Sequence, residues 1–140
     1  MKTKQKGSSA EREIIRKFWD TGEWASMRAA GSGSARHPCP DIIASNGERT
    51  LVIECKSVGG DAIRVEREQL EQLQHFAKIF GAEVWVGARY SKISTKDSHG
   101  EGWYFFSVED LNESEKGYSV NVQQASYKGI SFEELIKIKF

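Results

Sequence analysis

The 140-residue chain predicts a single α/β domain, with a central mixed β-sheet flanked by helices. Three observations lead there. A chain of this length matches one domain of the usual ~100–200 residues. Its composition, 39% apolar and 29% charged with 11% aromatic, supports a packed core and excludes global disorder. Segments of helical period are also interleaved with short strand-like runs.

Taken in order, Ser8-Ser9-Ala10-Glu11 has the form of a capping box, and Ala10, Ile14, Ile15, Phe18 and Trp19 recur at helical spacing up to Gly22. This predicts an amphipathic helix over 9–21, preceded by a mobile basic arm over 1–7. Residues 24–30 read as a short strand, and the Gly/Ser/Pro-rich stretch 31–40 as a loop. Residues 41–45 and 50–57 form two strands around the turn signal Asn46-Gly47. Leu70, Leu73, Phe76, Ala77 and Phe80 predict a second helix over 65–80, with Gly81 as its stop. Strands follow at 83–90 and 102–107, separated by a polar stretch, 91–101, that reads as a flexible loop. Ser131-Phe132-Glu133-Glu134 is a second capping box and opens a short C-terminal helix.

No apolar run approaches the ~18 residues that span a bilayer, and the N-terminus leads into charge rather than a signal-peptide stretch. The expected setting is cytoplasmic, with no membrane partner. Cys39 and Cys55 lack the number and spacing of a zinc site or a disulfide framework, so both are expected to be free thiols. A net charge of zero conceals an asymmetry: residues 1–40 carry eight Lys/Arg against four acidic residues, and the remainder carries the compensating −4. A basic N-terminal third is compatible with an anionic partner such as nucleic acid.

The chemistry lies in Pro40-Asp41 followed, after twelve residues, by Glu54-Cys55-Lys56. A two-residue hairpin loop places Asp41 opposite Val52, and a four-residue loop ending at Arg49 places it opposite Glu54. Either register puts Asp41, Glu54 and Lys56 on one sheet face, because side chains alternate with period two. Leu51, Ile53 and Cys55 then face the other way. Two converging carboxylates repel unless a cation lies between them, and hard oxygen ligands suit Mg²⁺ or Mn²⁺ rather than zinc. A lysine beside them can orient or help deprotonate a water attacking phosphorus. The bare Asp…Glu-X-Lys string is also what an exposed pair on a wet sheet face looks like, so context must decide.

The context is a series of motifs in one order: Lys6-Gly7, Ala10-Glu11-Arg12-Glu13, Met27-Arg28-Ala29-Ala30-Gly31-Ser32, Pro40-Asp41-Ile42-Ile43-Ala44 and Ile53-Glu54-Cys55-Lys56. Together they resemble the archaeal Holliday junction resolvases of the PD-(D/E)XK nuclease superfamily. The resemblance implies a restriction-endonuclease-like fold and a homodimer that nicks four-way DNA junctions in symmetric pairs, in a nucleoid-associated role. It implies Mg²⁺ as cofactor, with Mn²⁺ able to substitute. It assigns Glu11, Asp41, Glu54 and Lys56 to catalysis, the three carboxylates as metal ligands, and Ser32 to a loop serine important for cleavage. Arg12 and Arg28 match DNA-contacting basic residues. Lys6, Ser32 and Arg36, from the basic start and the glycine-serine loop, join the expected DNA-binding set. Glu11 has a rival role as the N3 residue of its capping box. Two other functions fit less of the pattern: a nuclease of the same superfamily with another DNA target, and a DNA-binding protein without catalysis.

Some residues are not promoted. His37, His75 and His99 share no metal-ligand spacing, and His75 reads as structural. The stretch 103–106, Trp-Tyr-Phe-Phe, reads as core strand or subunit interface rather than a base-stacking platform. The terminal segment 136–140 is a poor match to a sliding-clamp motif, since the expected glutamine is missing.

Overall fold

A computed structural model describes residues 2–29, 37–91 and 102–139, with side chains from Ser9 onward. Helix α1 (Lys2–Asp20) leads into β1 (Ala25–Arg28), β2 (Ile42–Ser45), β3 (Thr50–Val58) and β4 (Ala62–Glu66). Helix α2 (Arg67–Phe80), β5 (Glu83–Tyr90) and β6 (Trp103–Phe106) follow, then β7 (Asn112–Ser114), β8 (Gly117–Asn121), α3 (Val122–Lys128) and α4 (Phe132–Lys137). The five-stranded sheet runs β1-β2-β3-β5-β6. Its β3–β5 pair is parallel and the other pairs are antiparallel, so the sheet is mixed as expected.

Two layers of core cover the two faces of that sheet. On one, Ala10, Ile14 and Phe18 of α1 and Phe132 and Leu135 of α4 pack over Ile42, Ala44, Leu51, Ile53 and Phe105. Phe18, fully buried, meets Phe132 edge-on at 4.9 Å. On the other, Leu70, Leu73 and Ala77 of α2 join Ile63 and Val65 of β4 and Val120 of β8 over Val52, Val86 and Ala88. Each large side chain removed from water here contributes roughly 1.5–3 kcal/mol. Gly87 sits where a Cβ would meet Phe105 Cε1 at 2.8 Å, so the close approach of β5 and β6 side chains needs glycine.

Helix α1 starts at Lys2, not at residue 9, which corrects the expected start of the first helix. Lysine and glutamine propagate a helix well and a single glycine costs only about 1 kcal/mol, so nothing before Ser8 forces a stop. Helix α2 starts at Arg67 because Val65 belongs to β4, whose alternating Ile63 and Val65 are buried while Arg64 and Glu66 face out. Gly81, at φ 80°, closes α2 with its N–H on the Ala77 carbonyl, as the stop signal predicts. A second, antiparallel sheet, β4-β8-β7, and helix α3 were not anticipated. The C-terminal capping box forms as predicted: Ser131 accepts from the Glu134 N–H, and Glu134 accepts from the Ser131 N–H. The expected loop over 91–101 lies, but for Ser91, outside the described residues. Trp103, Phe105 and Phe106 are core, whereas His75 is exposed on α2 and is not a packing residue.

Candidate active site

The hairpin joining β2 and β3 has the four-residue loop. Ile42 pairs with Ile53 and Ser45 with Thr50, while the Asn46 side chain accepts from the N–H groups of Glu48 and Arg49. One step past the last pair, this register sets Asp41 against Glu54. Pro40 has no N–H to extend the ladder, and β2 ends there while β3 runs on to Val58. The Cys55 N–H, left without a strand partner on that side, donates to Asp41 Oδ2 at 2.9 Å. Asp41 thus ends the β2 ladder and is fixed beside the second half of β3.

Glu54 is only 6% exposed. It lies within hydrogen-bond reach of Asp41, and Lys56 Nζ stands 3.6 Å from its Oε2. Burial, then the Asp41 charge, push the Glu54 carboxyl up to about 8, with Lys56 pulling against both. Without a cation Glu54 therefore holds its proton near neutral pH. Burial, followed by Asp41, also raises Glu11, against the opposing pull of Arg28. Burial raises the Cys55 thiol, and the carboxylates of Asp41, Glu11 and Glu54 add to that shift. Both cysteines are free.

Glu11 makes an ion pair with Arg28, joining α1 to β1, and its capping-box role is absent because α1 runs through it. Arg28 remains half exposed and Arg12 is exposed. Ser32 and Arg36 lie outside the described residues, as does the Lys6 side chain.

The sequence reading missed two residues that shape the site. Glu13 accepts from Arg89 Nη1 at 2.6 Å and from Trp103 Nε1 at 2.8 Å, while Arg89 Nη2 donates to Ser57. This partly buried cluster ties α1 to β3, β5 and β6, and so fixes Glu11 two residues away. Gln69 of α2 touches both Glu54 and Lys56. The signal for Glu13 was present, an acidic residue within the basic-acidic motif on the buried side of α1, but its partner is 76 residues away.

The donor set fits a hard divalent cation. Two carboxylates are held close, mostly out of water, where only a proton or a cation relieves their repulsion. Among the described residues no group of three or more His, Cys, Asp or Glu side chains is arranged to hold a metal. Asp41 and Glu54 together supply hard oxygen donors of the kind a divalent cation takes.

The profile of the family described as archaeal Holliday junction resolvase (Hjc) matches residues 2–140. The chain belongs to the archaeal Holliday junction resolvase family. It is 36% identical over 118 residues to the crossover junction endodeoxyribonuclease Hjc of Archaeoglobus fulgidus, covering 84% of this chain and 80% of that protein. To the Hjc of Sulfolobus acidocaldarius it is 33% identical over 139 residues, covering 98% and 90%. The solved structure of the Archaeoglobus fulgidus Hjc, described as a Holliday junction resolvase from an archaeal hyperthermophile, is similar at a TM-score of 0.77 and 32% identity, covering 90% of this chain and 94% of that one. The restriction-endonuclease-like fold expected of a resolvase is thus the fold observed.

Proposed function

We propose that this member of the resolvase family is an endodeoxyribonuclease that resolves four-way DNA junctions by paired nicks, with its chemistry at Asp41, Glu54 and Lys56. The observation that carries the reading is the convergence of Asp41, Glu54 and Lys56 at the point where β2 stops and β3 continues. Asp41 and Glu54 would hold a divalent cation, for which we propose Mg²⁺ with Mn²⁺ as a substitute, and Glu11 lies near enough to Asp41 to share its field. When bound, such a cation stabilises negative charge on the attacking and leaving oxygens of a phosphodiester.

The chain's own groups do the rest. The Lys56 ammonium, beside Glu54 and half-buried, orients the attacking water and offsets the carboxylate charge that would otherwise repel phosphate. Arg12 and Arg28 present positive charge on the exposed side of α1 and β1 for phosphate contacts, and Lys6, Ser32 and Arg36 belong to the same proposed surface. Ser32 is also kept as a candidate for cleavage.

A junction with near two-fold symmetry calls for two such sites, so a homodimer is part of the proposal. Ile79 and Phe80, 76% and 53% exposed, form with Phe76 an apolar patch on α2 that suits a second copy of the chain. A sliding-clamp contact has less support, because Ile136 and Ile138 pack on the core. No helix among the described residues is long and apolar enough to cross a membrane. A junction substrate would place the protein at the nucleoid.

The test is incubation with end-labelled four-way, flap and linear DNA in Mg²⁺, with mapping of each strand. Symmetric nicks near the crossover of the four-way substrate are expected. Preferred cutting of the flap would favour the alternative nuclease, and binding without cuts the non-catalytic reading.

A further inference from the structure

Gln69 occupies the third position of α2, after the N-cap Glu66. A glutamine there commonly folds back onto the N-cap N–H to complete a capping box. This chain uses the device at α3, where Gln124 serves Asn121, and at α4, where Glu134 serves Ser131. At α2 the N-cap makes no side-chain cap bond, and the Gln69 amide is turned the other way. Its Nε2 donates to Glu54 Oε2 at 2.5 Å, and its Oε1 accepts from Lys56 Nζ at 3.1 Å. One planar amide therefore matches both groups at once, a donor to the carboxylate and an acceptor for the ammonium. Reversing the amide would set like against like at both contacts.

The geometry gives this bridge a definite effect. Glu54 and Lys56 are two residues apart on β3 and share a face, where a direct contact would let the ammonium settle onto the carboxylate. With Gln69 at 3.1 Å from Nζ and Glu54 at 3.6 Å, the closer partner of the lysine is the amide. One carboxylate oxygen of Glu54 is taken by Gln69, and its orientation is set from the rigid start of α2. Leu70, buried next in sequence, anchors that turn in the core.

We propose that Gln69 is a positioning residue: it aims the Glu54 carboxylate and holds Lys56 beside it, so that both are preorganised for a divalent cation and for nicking. The inference rests on the nuclease reading above. Partners that orient a ligating carboxylate typically govern about 10–100-fold in metal affinity or activity.

Two variants test it. Gln69→Met keeps the length and bulk of the side chain and removes both hydrogen bonds, while Gln69→Ala removes the side chain. Gln72→Ala, one turn on, exposed and bonded to Glu68 within α2, is the control. Mn²⁺ affinity of the DNA-free protein is read by electron paramagnetic resonance, nicking under single turnover, junction affinity without metal by gel shift, and stability by thermal unfolding.

Both variants are expected to lose about tenfold or more in Mn²⁺ affinity and in nicking rate, with junction affinity and melting temperature at wild-type values and Gln72→Ala unchanged. A Gln69→Met protein with wild-type Mn²⁺ affinity or wild-type nicking overturns the proposal. So does a loss that tracks a fall in melting temperature or in metal-free junction binding, since that marks a merely structural role. A wild-type protein that neither binds Mn²⁺ nor nicks a junction counts against the nuclease reading instead, so the two failures are told apart.

Discussion

Raising the pH of the metal-free protein should unfold it more easily, and Glu54 should be the reason. Its ordinary value is 4.5, and in the folded chain burial first and the Asp41 charge second push it up to about 8. A carboxyl raised by folding contributes stability that is fully present below its unfolded value and is lost as pH rises through its folded value. The window is therefore from 4.5 to about 8, and stability falls across it. At ~1.4 kcal/mol per pH unit this sets a ceiling of ~5 kcal/mol. That is a large share of the ~5–15 kcal/mol that holds a typical domain together. The loss is spread over the window, because Glu54 in the unfolded chain gives up its proton near 4.5 and in the folded chain only near 8. Urea unfolding in chelator at a series of pH values measures it. Glu54→Gln removes the ionisation while keeping the size and a hydrogen-bonding head, so its profile should be shallower than wild type, with the slope left by the raised Glu11 carboxyl, and it should exceed wild type in stability at the alkaline end. Saturating Mg²⁺ should restore the wild-type protein there, by binding only the folded chain. A wild-type profile that is flat in chelator, or one that Glu54→Gln reproduces, would refute the reasoning.

Three further outcomes are expected. Arg28→Ala removes an exposed charge from β1, so junction binding should weaken and the slope of log affinity against log salt should flatten by about one; an unchanged slope would take Arg28 off the DNA surface. Glu13→Gln breaks the ion pair with Arg89 yet can still accept from Trp103, and should cost ~1–3 kcal/mol in denaturant unfolding because both partners are largely buried. Gly87→Ala drives a Cβ into Phe105 and Ile53 and should cost ~1–3 kcal/mol by overpacking, with a neutral result showing that the Phe105 ring can give way.

How much of this was legible in the sequence depended on how local each signal was. The strand β5 and the Ser131 cap were readable because a short apolar run following the Gly81 stop and a four-residue box are each complete within a few residues. The grouping of Asp41, Glu54 and Lys56 followed from parity, which survives uncertainty in the loop length. Strand β4 had its own alternation at Ile63 and Val65, but the helical period beginning nearby claimed Val65 first. Strand β7, only three residues long, has no buried position in its burial pattern, so it offered little periodicity to read. The Asn121–Gln124 cap of α3 was a local signal that went unread. The Gln69 bridge was beyond reach for a different reason. Its residues are 13 and 15 positions from Lys56 and Glu54, and only the docking of α2 on the sheet makes the amide and the two charged groups neighbours.

Asp41→Asn tests the central claim most directly. The side chain keeps its size and retains an oxygen to accept the Cys55 N–H, so the end of the β2 ladder should survive and the protein should fold. What it loses is the charge that would hold a cation with Glu54. Single-turnover nicking of a labelled four-way junction in Mg²⁺ should fall by about two orders of magnitude or more, while gel-shift affinity without metal stays at or above the wild-type value because a negative charge facing phosphate has gone. A folded Asp41→Asn protein that nicks the junction at the wild-type rate would contradict the account.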